Sequence, residues 1–117
     1  MSRLNLDSAE NLAVRMRQDL QISLSEPVNA KTVLRVLGII TLYRPLSDSL
    51  YGLSVKSSDN RYRFMLVNSN TTRGRQHFTI AHELYHLYYD ADPHPHFCQD
   101  GNLDESERAA NMFARAF

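Results

Sequence analysis

The chain has 117 residues, a length that suits one folded domain and leaves no room for a second enzyme module. Thirteen Lys and Arg residues balance thirteen Asp and Glu residues, so the chain lacks the positive charge of a general nucleic-acid binder. It has no leader segment and no apolar run of about 18 residues, and Cys98 has no second cysteine to pair with. We therefore expect a single cytoplasmic domain, residues 1–117, with no direct nucleic-acid or membrane partner.

Two helices are predicted in the first third of the chain. Asp7 or Ser8 can cap the first helix, which runs to about Leu20 with one apolar face. Asn29 is suited to cap the second helix, and Gly38 is suited to end it, because glycine readily adopts the left-handed conformation found after helix ends.

Three strand-like runs follow these helices. Residues 39–43 are apolar and rich in β-branched side chains, which favours a strand. Residues 51–56 and 61–67 flank the turn signal at 57–60, so these two runs are predicted to form a hairpin.

Two further helices are predicted after a polar loop. Thr71 or Thr72 can start a long helix that ends near Tyr89, and the proline-containing segment 92–95 stops it. A final helix is predicted from about Leu103 to the last residue.

The long helix carries the run HELYH at residues 82–86. Residues four apart project from one helical face, so His82 and His86 can bind the same cation. HExxH on a helix is typical of catalytic zinc sites, in which the glutamate, here Glu83, serves as the general base. The motif therefore predicts a zinc-dependent metallopeptidase.

A catalytic zinc ion normally has three protein ligands, so one more is required. The downstream candidates are His94, His96, Cys98, Asp100, Asp104, Glu105 and Glu107. Glu107 shares a helical stripe with small residues, which would allow the final helix to approach closely. Alternatively, Asp104 caps this helix and Glu107 is its capping-box partner, whereas a cap at Asn102 would leave Glu107 free. Helix geometry alone does not choose between these alternatives.

Two segments resemble the ImmA/IrrE family of small zinc metallopeptidases. Residues 75–86, RQHFTIAHELYH, are similar to the family's arginine-phenylalanine-threonine-x-alanine run leading into HExxH. Residues 107–114, ERAANMFA, resemble its E-x-x-A-N-x-F-A helix. The order of the predicted elements is similar as well, so the resemblance covers most of the chain.

This resemblance implies an α+β fold, a small zincin-like domain. It would comprise two N-terminal helices, a short sheet of about three strands, the HExxH helix and a closing C-terminal helix. The implied cofactor is Zn²⁺, with His82, His86 and Glu107 as ligands and Glu83 as the catalytic residue. The implied activity is that of a zinc metalloendopeptidase whose protein substrate is a helix-turn-helix transcriptional repressor.

The chain departs from the family pattern at two places. Tyr85 stands where the family commonly has glycine, and it could narrow the cleft or place a phenol near the metal. The closing helix stops at Phe117 in mid-pattern, so we expect a chain truncated at its C-terminus. Tyr85, Tyr88, His94 and His96 are candidates for stabilising an oxyanion, and the choice stays open; for the two histidines we favour a role as loop residues beside prolines.

A function from another class is a non-catalytic, zinc-containing interaction module of a regulatory or toxin–antitoxin operon. Glu83 argues against it, because a purely structural zinc site has no need of a base. For Cys98 we favour a free thiol over a zinc ligand, since no second cysteine lies at ligand spacing.

Overall fold

A computed structural model describes residues 2–90, 94–101 and 104–117, with side chains described from residue 8 onward. The elements in chain order are α1 (Ser2–Asp19), α2 (Ala30–Val36), β1 (Ile40–Arg44), β2 (Leu50–Lys56), β3 (Arg63–Asn68), α3 (Arg73–Tyr88), β4 (His96–Gln99) and α4 (Glu105–Ala116). This is an α+β domain, and the predicted fold class is confirmed.

The helix caps agree with the sequence patterns at α2 and α3. The side chain of Asn29 accepts a hydrogen bond from the Thr32 amide, and that of Thr72 accepts one from the Arg75 amide. Gly38, two residues after the end of α2, has a φ of 72°, in the left-handed region that glycine tolerates best.

The predicted start of α1 is wrong, because the helix begins at Ser2 and passes through Asp7 and Ser8. No glycine or proline precedes these two residues, so nothing in the sequence breaks the helix before them. On its apolar face Met16 is buried, while Leu12 and Leu20 are half-buried against the core, as predicted.

The four strands form one mixed sheet in the order β1-β3-β2-β4. β1 pairs with β3 in parallel, and β2 and β3 form the predicted antiparallel hairpin. β4 pairs antiparallel with β2 and is an addition to the three predicted strands. It has only four residues and begins directly after Pro95, so its sequence gives little strand signal.

The helices form layers on one face of the sheet. α3 packs on β2, β3 and β4, and α4 packs on both α3 and α1. The largest apolar side chains that are fully buried are Met65, Val67, Leu84, Leu87 and Phe113. α3 is thus held between the sheet and α4, which explains why its polar residues are buried too. No described helix is long and apolar enough to cross a membrane.

A buried arginine connects α1 to the end of α4. Arg17 of α1 donates through Nε to the Phe117 carbonyl at the end of α4 over 2.8 Å. Its Nη1 donates to the carbonyls of Ser23 and Glu26, at 2.7 and 2.9 Å. Arg17 therefore holds in place the helix that carries Glu107.

Candidate metal centre

The polar residues of the HExxH run lie in the interior, where α3 passes between the sheet and α4. His82 is 5% exposed, and Glu83 and His86 are fully buried. Burial of three ionisable side chains is costly unless they find partners. Their partners come from α4, β2 and β4, and from Asp90 just beyond the end of α3.

His82, His86 and Glu107 meet at one point. Glu107 Oε2 lies 2.6 Å from His82 Nε2 and 3.2 Å from His86 Nε2. The two Nε2 atoms are 3.3 Å apart. The structure therefore brings together the three residues that the sequence and the family resemblance single out.

The far side of each imidazole has an oxygen partner. His82 Nδ1 donates to Asn111 Oδ1 over 2.9 Å, and His86 Nδ1 donates to Asp90 Oδ2 over 2.5 Å. A ring proton held on Nδ1 makes the lone pair of each Nε2 available to a cation beside Glu107. This arrangement is the usual support for metal-binding histidines.

The donor set fits a divalent cation. Two imidazole lone pairs and one carboxylate oxygen repel one another at these distances unless a proton or a cation lies between them. Around a tetrahedral zinc ion, nitrogen and oxygen ligands lie roughly 3.3 Å apart. Two of the three distances have this value, and the third is that of a direct hydrogen bond. His82, His86, His96 and Glu107 form a group whose donor atoms all lie within 4.8 Å of one another.

The sequence left open whether Asp104 caps α4 and whether Glu107 reaches the histidines, and the structure shows both. Asp104 caps α4 and accepts a hydrogen bond from the Glu107 amide over 2.9 Å, which makes Glu107 the third residue of the helix. Its side chain nevertheless reaches the histidines. Burial by itself would raise the pKa of Glu107, but hydrogen bonds with His82, His86 and His96 hold that pKa well below its usual range. The alternative cap, Asn102, lies outside the described residues.

His96 is the residue of the site that sequence reasoning placed wrongly. Rather than standing in a loop, it is the first residue of β4 and connects both carboxylates of the site. Its Nε2 lies 2.6 Å from Glu107 Oε1, and its Nδ1 lies 2.9 Å from Glu83 Oε2. Its ring stacks on that of His86 with 3.5 Å between centroids.

The protonation of His96 follows from these contacts. Burial by itself would lower its pKa, but the hydrogen bonds and negative charges of Glu107 and Glu83 outweigh burial and raise the pKa of His96 to about 10. A divalent cation on Glu107 would reduce this effect by neutralising one of the two charges.

Glu83 lies beside the three-residue cluster rather than in it. Its Oε2 is 3.9 Å from His82 Nε2, and its Oε1 accepts a hydrogen bond from Ser54 Oγ over 2.5 Å. Two partners on the sheet, Ser54 and His96, thus hold the carboxylate in one orientation. It is close enough to act on a water molecule bound at the cluster.

The remaining candidates lie around the site. The Tyr85 ring meets the His86 ring edge-on, with 5.7 Å between centroids, while Tyr88 packs under the guanidinium of Arg63. Both ring nitrogens of His94 are buried and have no hydrogen-bond partner among the described residues.

Cys98 is buried and forms no disulfide. Burial raises its pKa, and the charges of Glu83 and Glu107 add to this effect. It could still share a cation with His82 and Glu83, because the donor atoms of these three residues lie within 4.8 Å of one another.

A cavity of about 260 Å³ is lined by His82 and Glu107 and also by Tyr51, Arg75 and Arg115. A larger cavity of about 690 Å³ lies between α2 and the start of α3, and its lining includes none of the clustered residues. The smaller cavity therefore gives access to the candidate metal centre.

A buried HExxH helix, closed by a helix that supplies a carboxylate, defines a domain of the metallopeptidase type. Residues 34–117 match the model of the Peptidase M78 family, described as the IrrE N-terminal-like domain, and the chain belongs to this family. The resemblance inferred from the two sequence segments is confirmed. No curated protein matches the chain.

Proposed function

We propose that this protein is a zinc metalloendopeptidase. The observation that carries the proposal is the convergence of His82 Nε2, His86 Nε2 and Glu107 Oε2, with the Glu83 carboxylate directly beside them. Three ligands with a base at their side are the composition of a catalytic zinc site.

The chemistry divides between the ion and the chain. A zinc ion held by His82, His86 and Glu107 would polarise the scissile carbonyl and lower the pKa of the attacking water. Glu83 takes the proton from that water and passes it to the leaving amine. Ser54 and His96 keep the Glu83 carboxylate turned towards the cluster throughout this transfer.

Substrate alignment by strand addition is supported by the position of β4. This strand is an edge of the described sheet and begins at His96, inside the site. Its free main-chain groups suit an extended peptide that pairs with β4 and passes the cluster. The 260 Å³ cavity, which Cys98 and Gln99 line at the other end of β4, would take a side chain of the substrate.

The substrate we propose is a helix-turn-helix transcriptional repressor, cleaved at one site in the cytoplasm. Membership of the Peptidase M78 family supports a peptidase, and the likeness to ImmA/IrrE supports a repressor as substrate. The balanced charge of the chain agrees with action on a protein rather than on DNA.

The test is Glu83→Gln, which removes the base and keeps the volume of the side chain. Zinc per chain is measured by elemental analysis, and cleavage of candidate repressors is followed by mass spectrometry. We expect near-stoichiometric zinc in both proteins and cleavage by the native chain alone. Glu10→Gln, at an exposed position of α1, is the matched control and should cleave normally. A Glu83→Gln variant that cleaves at the native rate would refute the proposed base.

A non-catalytic zinc module is the second candidate, and His96 is the observation in its favour. His96 would be a fourth donor beside His82, His86 and Glu107, and a fourth protein ligand would close the site to water. This function predicts that the native chain binds zinc and its partner protein without cleaving it. Glu83→Gln would then leave partner binding unchanged.

A further inference from the structure

Two arginines line the cavity that gives access to the candidate metal centre, which is called the access cavity below. Arg75 of α3 and Arg115 of α4 both line it, together with His82 and Glu107. The same two arginines also line a neighbouring cavity of about 470 Å³. Because they share the walls of two cavities, the two side chains lie next to one another.

The spacing of each arginine from a proposed zinc ligand places it beside the site. Arg75 precedes His82 by seven residues on α3, and Arg115 follows Glu107 by eight residues on α4. Both spacings are close to two helical turns, so each arginine lies on the same side of its helix as the ligand. Each helix thus presents a ligand and a positive charge to the access cavity.

Both guanidinium groups have N–H donors to offer to a ligand. The Arg75 guanidinium lies over the rings of Tyr51 and Phe78, at 4.3 and 5.5 Å from their centroids. Stacking occupies the faces of a guanidinium and leaves the donors in its plane for a planar partner such as a carboxylate. Arg115 is exposed, and its Nη1 lies 3.9 Å from the sulfur of Met112, which is a weak acceptor.

The positive charges of this pair are not neutralised within the part of the chain that the structure describes, where neither Arg75 nor Arg115 forms an ion pair. Two acidic residues line the access cavity, but both have other partners. Glu107 contacts the histidines, and Asp100 accepts a hydrogen bond from Tyr51 Oη over 2.7 Å. Adjacent like charges repel, so the access cavity favours a ligand that brings a negative charge.

We propose that the access cavity is a specificity pocket for an acidic residue, Asp or Glu, of the peptide substrate. This inference rests on the proposed function and names the kind of sequence that the peptidase cleaves. An endopeptidase meets a carboxylate in its substrate as a side chain rather than as a chain end. That carboxylate accepts hydrogen bonds from Arg75 and Arg115 while the scissile bond lies at the zinc ligands.

The length of the helices limits where this acidic residue stands in the substrate. Two helical turns separate the arginines from the ligands by roughly 11 Å. An extended peptide advances about 3.3 Å per residue, so this distance corresponds to about three residues. Because the arginine and substrate side chains both reach towards each other, the acidic residue lies within three positions of the cleaved bond.

The test measures binding, so that it does not depend on turnover. The probes are alanine tripeptides with a zinc-binding hydroxamate at the C-terminus in one series and at the N-terminus in the other. Each residue is replaced in turn by Glu, by its uncharged match Gln and by Lys. The other end of each peptide is capped, so the side chain is the only carboxylate. Affinity for the zinc-loaded full chain is measured by isothermal titration calorimetry.

We expect at least one position at which Glu binds about tenfold more tightly than Gln, the size of a charge-assisted hydrogen bond, and Lys binds more weakly than Gln. Arg75→Gln and Arg115→Gln should each remove most of this preference and leave zinc content unchanged. Arg115→Glu, at an exposed position, should turn the preference towards Lys. Arg73→Gln removes the same charge at the exposed first residue of α3, outside the lining of the access cavity, and should keep the preference for Glu.

The possible results separate this inference from the proposed function. If the hydroxamates bind but Glu, Gln and Lys are equal at every position, the acidic specificity is refuted while the metal centre stands. A preference for Glu that persists in both Arg75→Gln and Arg115→Gln would assign it to other groups and overturn the proposal as well. If no hydroxamate binds at all, the metal centre itself is refuted, and this inference falls with it.

Discussion

Ser54 Oγ donates a hydrogen bond to Glu83 Oε1 over 2.5 Å, although 29 residues separate the two in the chain. Both side chains are fully buried. Because Ser54 belongs to β2 and Glu83 to α3, this contact couples the orientation of the proposed base to the sheet. Ser54 is therefore a positioning residue, whose removal should affect the proton transfer more than substrate binding.

Ser54→Ala tests this relationship. We expect kcat to fall about tenfold, the lower end of what the loss of such a supporting contact costs, with KM and zinc content little changed. Steady-state kinetics on a cleaved substrate, together with elemental analysis, measure all three. Ser49→Ala, at an exposed position before β2, is the control. A rise in KM at constant kcat would show that Ser54 serves substrate binding instead.

The supports of the histidines give a second prediction, for metal affinity. Asp90 Oδ2 accepts from His86 Nδ1 over 2.5 Å and from Ser106 Oγ over 2.8 Å. Asp90→Ala frees the His86 ring to turn, and we expect zinc affinity to fall about 10- to 100-fold. Competition with a chromophoric chelator measures the change.

Asp48→Ala, at an exposed loop position, is the control for the lost negative charge. Asn111→Ala removes the corresponding oxygen from His82 and should lower zinc affinity in the same direction. Equal affinities in native protein and Asp90→Ala would mean that packing alone holds the His86 ring.

The local part of this site could be predicted from the sequence, and the part made by tertiary contacts could not. His82, Glu83 and His86 follow from one helical period. Glu107 needed the family resemblance, because helix periodicity does not tell which helix packs on α3. Ser54 could not be predicted for the same reason, because strand alternation does not tell which side chain of β2 contacts Glu83.

His96 was misplaced for a different physical reason. The proline beside it reads as a loop signal, and β4 is too short to show strand alternation. Residues 96–99 form a strand because they pair with β2, which is far away in the sequence. This pairing turns His96 towards the carboxylates. The early start of α1 was missed because Asp7 and Ser8 favour caps but are also accommodated within helices.

His96 also predicts how the stability of the metal-free chain depends on pH. Its pKa is raised from 6.5 to about 10 on folding, so the folded chain binds this proton more tightly than the unfolded chain. The stabilisation is complete below pH 6.5 and is lost as the pH rises through 10. Urea unfolding of native protein and His96→Ala, both stripped of metal, measures the difference at each pH.

We expect this difference in unfolding free energy to be largest at pH 6.5 or below and to shrink steadily towards pH 10. Comparison of the two proteins cancels the contribution of other groups that titrate in the same range. Gly74→Ala, which changes no titratable group and adds a Cβ that meets nothing within 4 Å, should show no such trend. A difference that stays constant over the whole range would contradict the shift in the pKa of His96.

The last prediction concerns the close approach of β2 to α3, on which the Ser54 contact depends. A Cβ atom at Gly52 would lie 2.6 Å from the Leu66 carbonyl oxygen and 2.9 Å from Thr79 Cγ2. Because the first neighbour is backbone, it cannot turn aside, and Gly52→Ala must push strand or helix away. We expect a loss of about 1–3 kcal/mol in the free energy of unfolding, measured by urea denaturation.

Gly74→Ala is the matched control, since a Cβ there meets nothing within 4 Å and Gly74 lies in the first turn of α3. It should be neutral or stabilise the chain by up to about 1 kcal/mol. Ser54 lies two residues after Gly52 in β2, so displacement of this strand would also carry Ser54 away from Glu83. Gly52→Ala should therefore lower kcat in the way that Ser54→Ala does, and native stability with native kcat would show that the sheet yields at no cost.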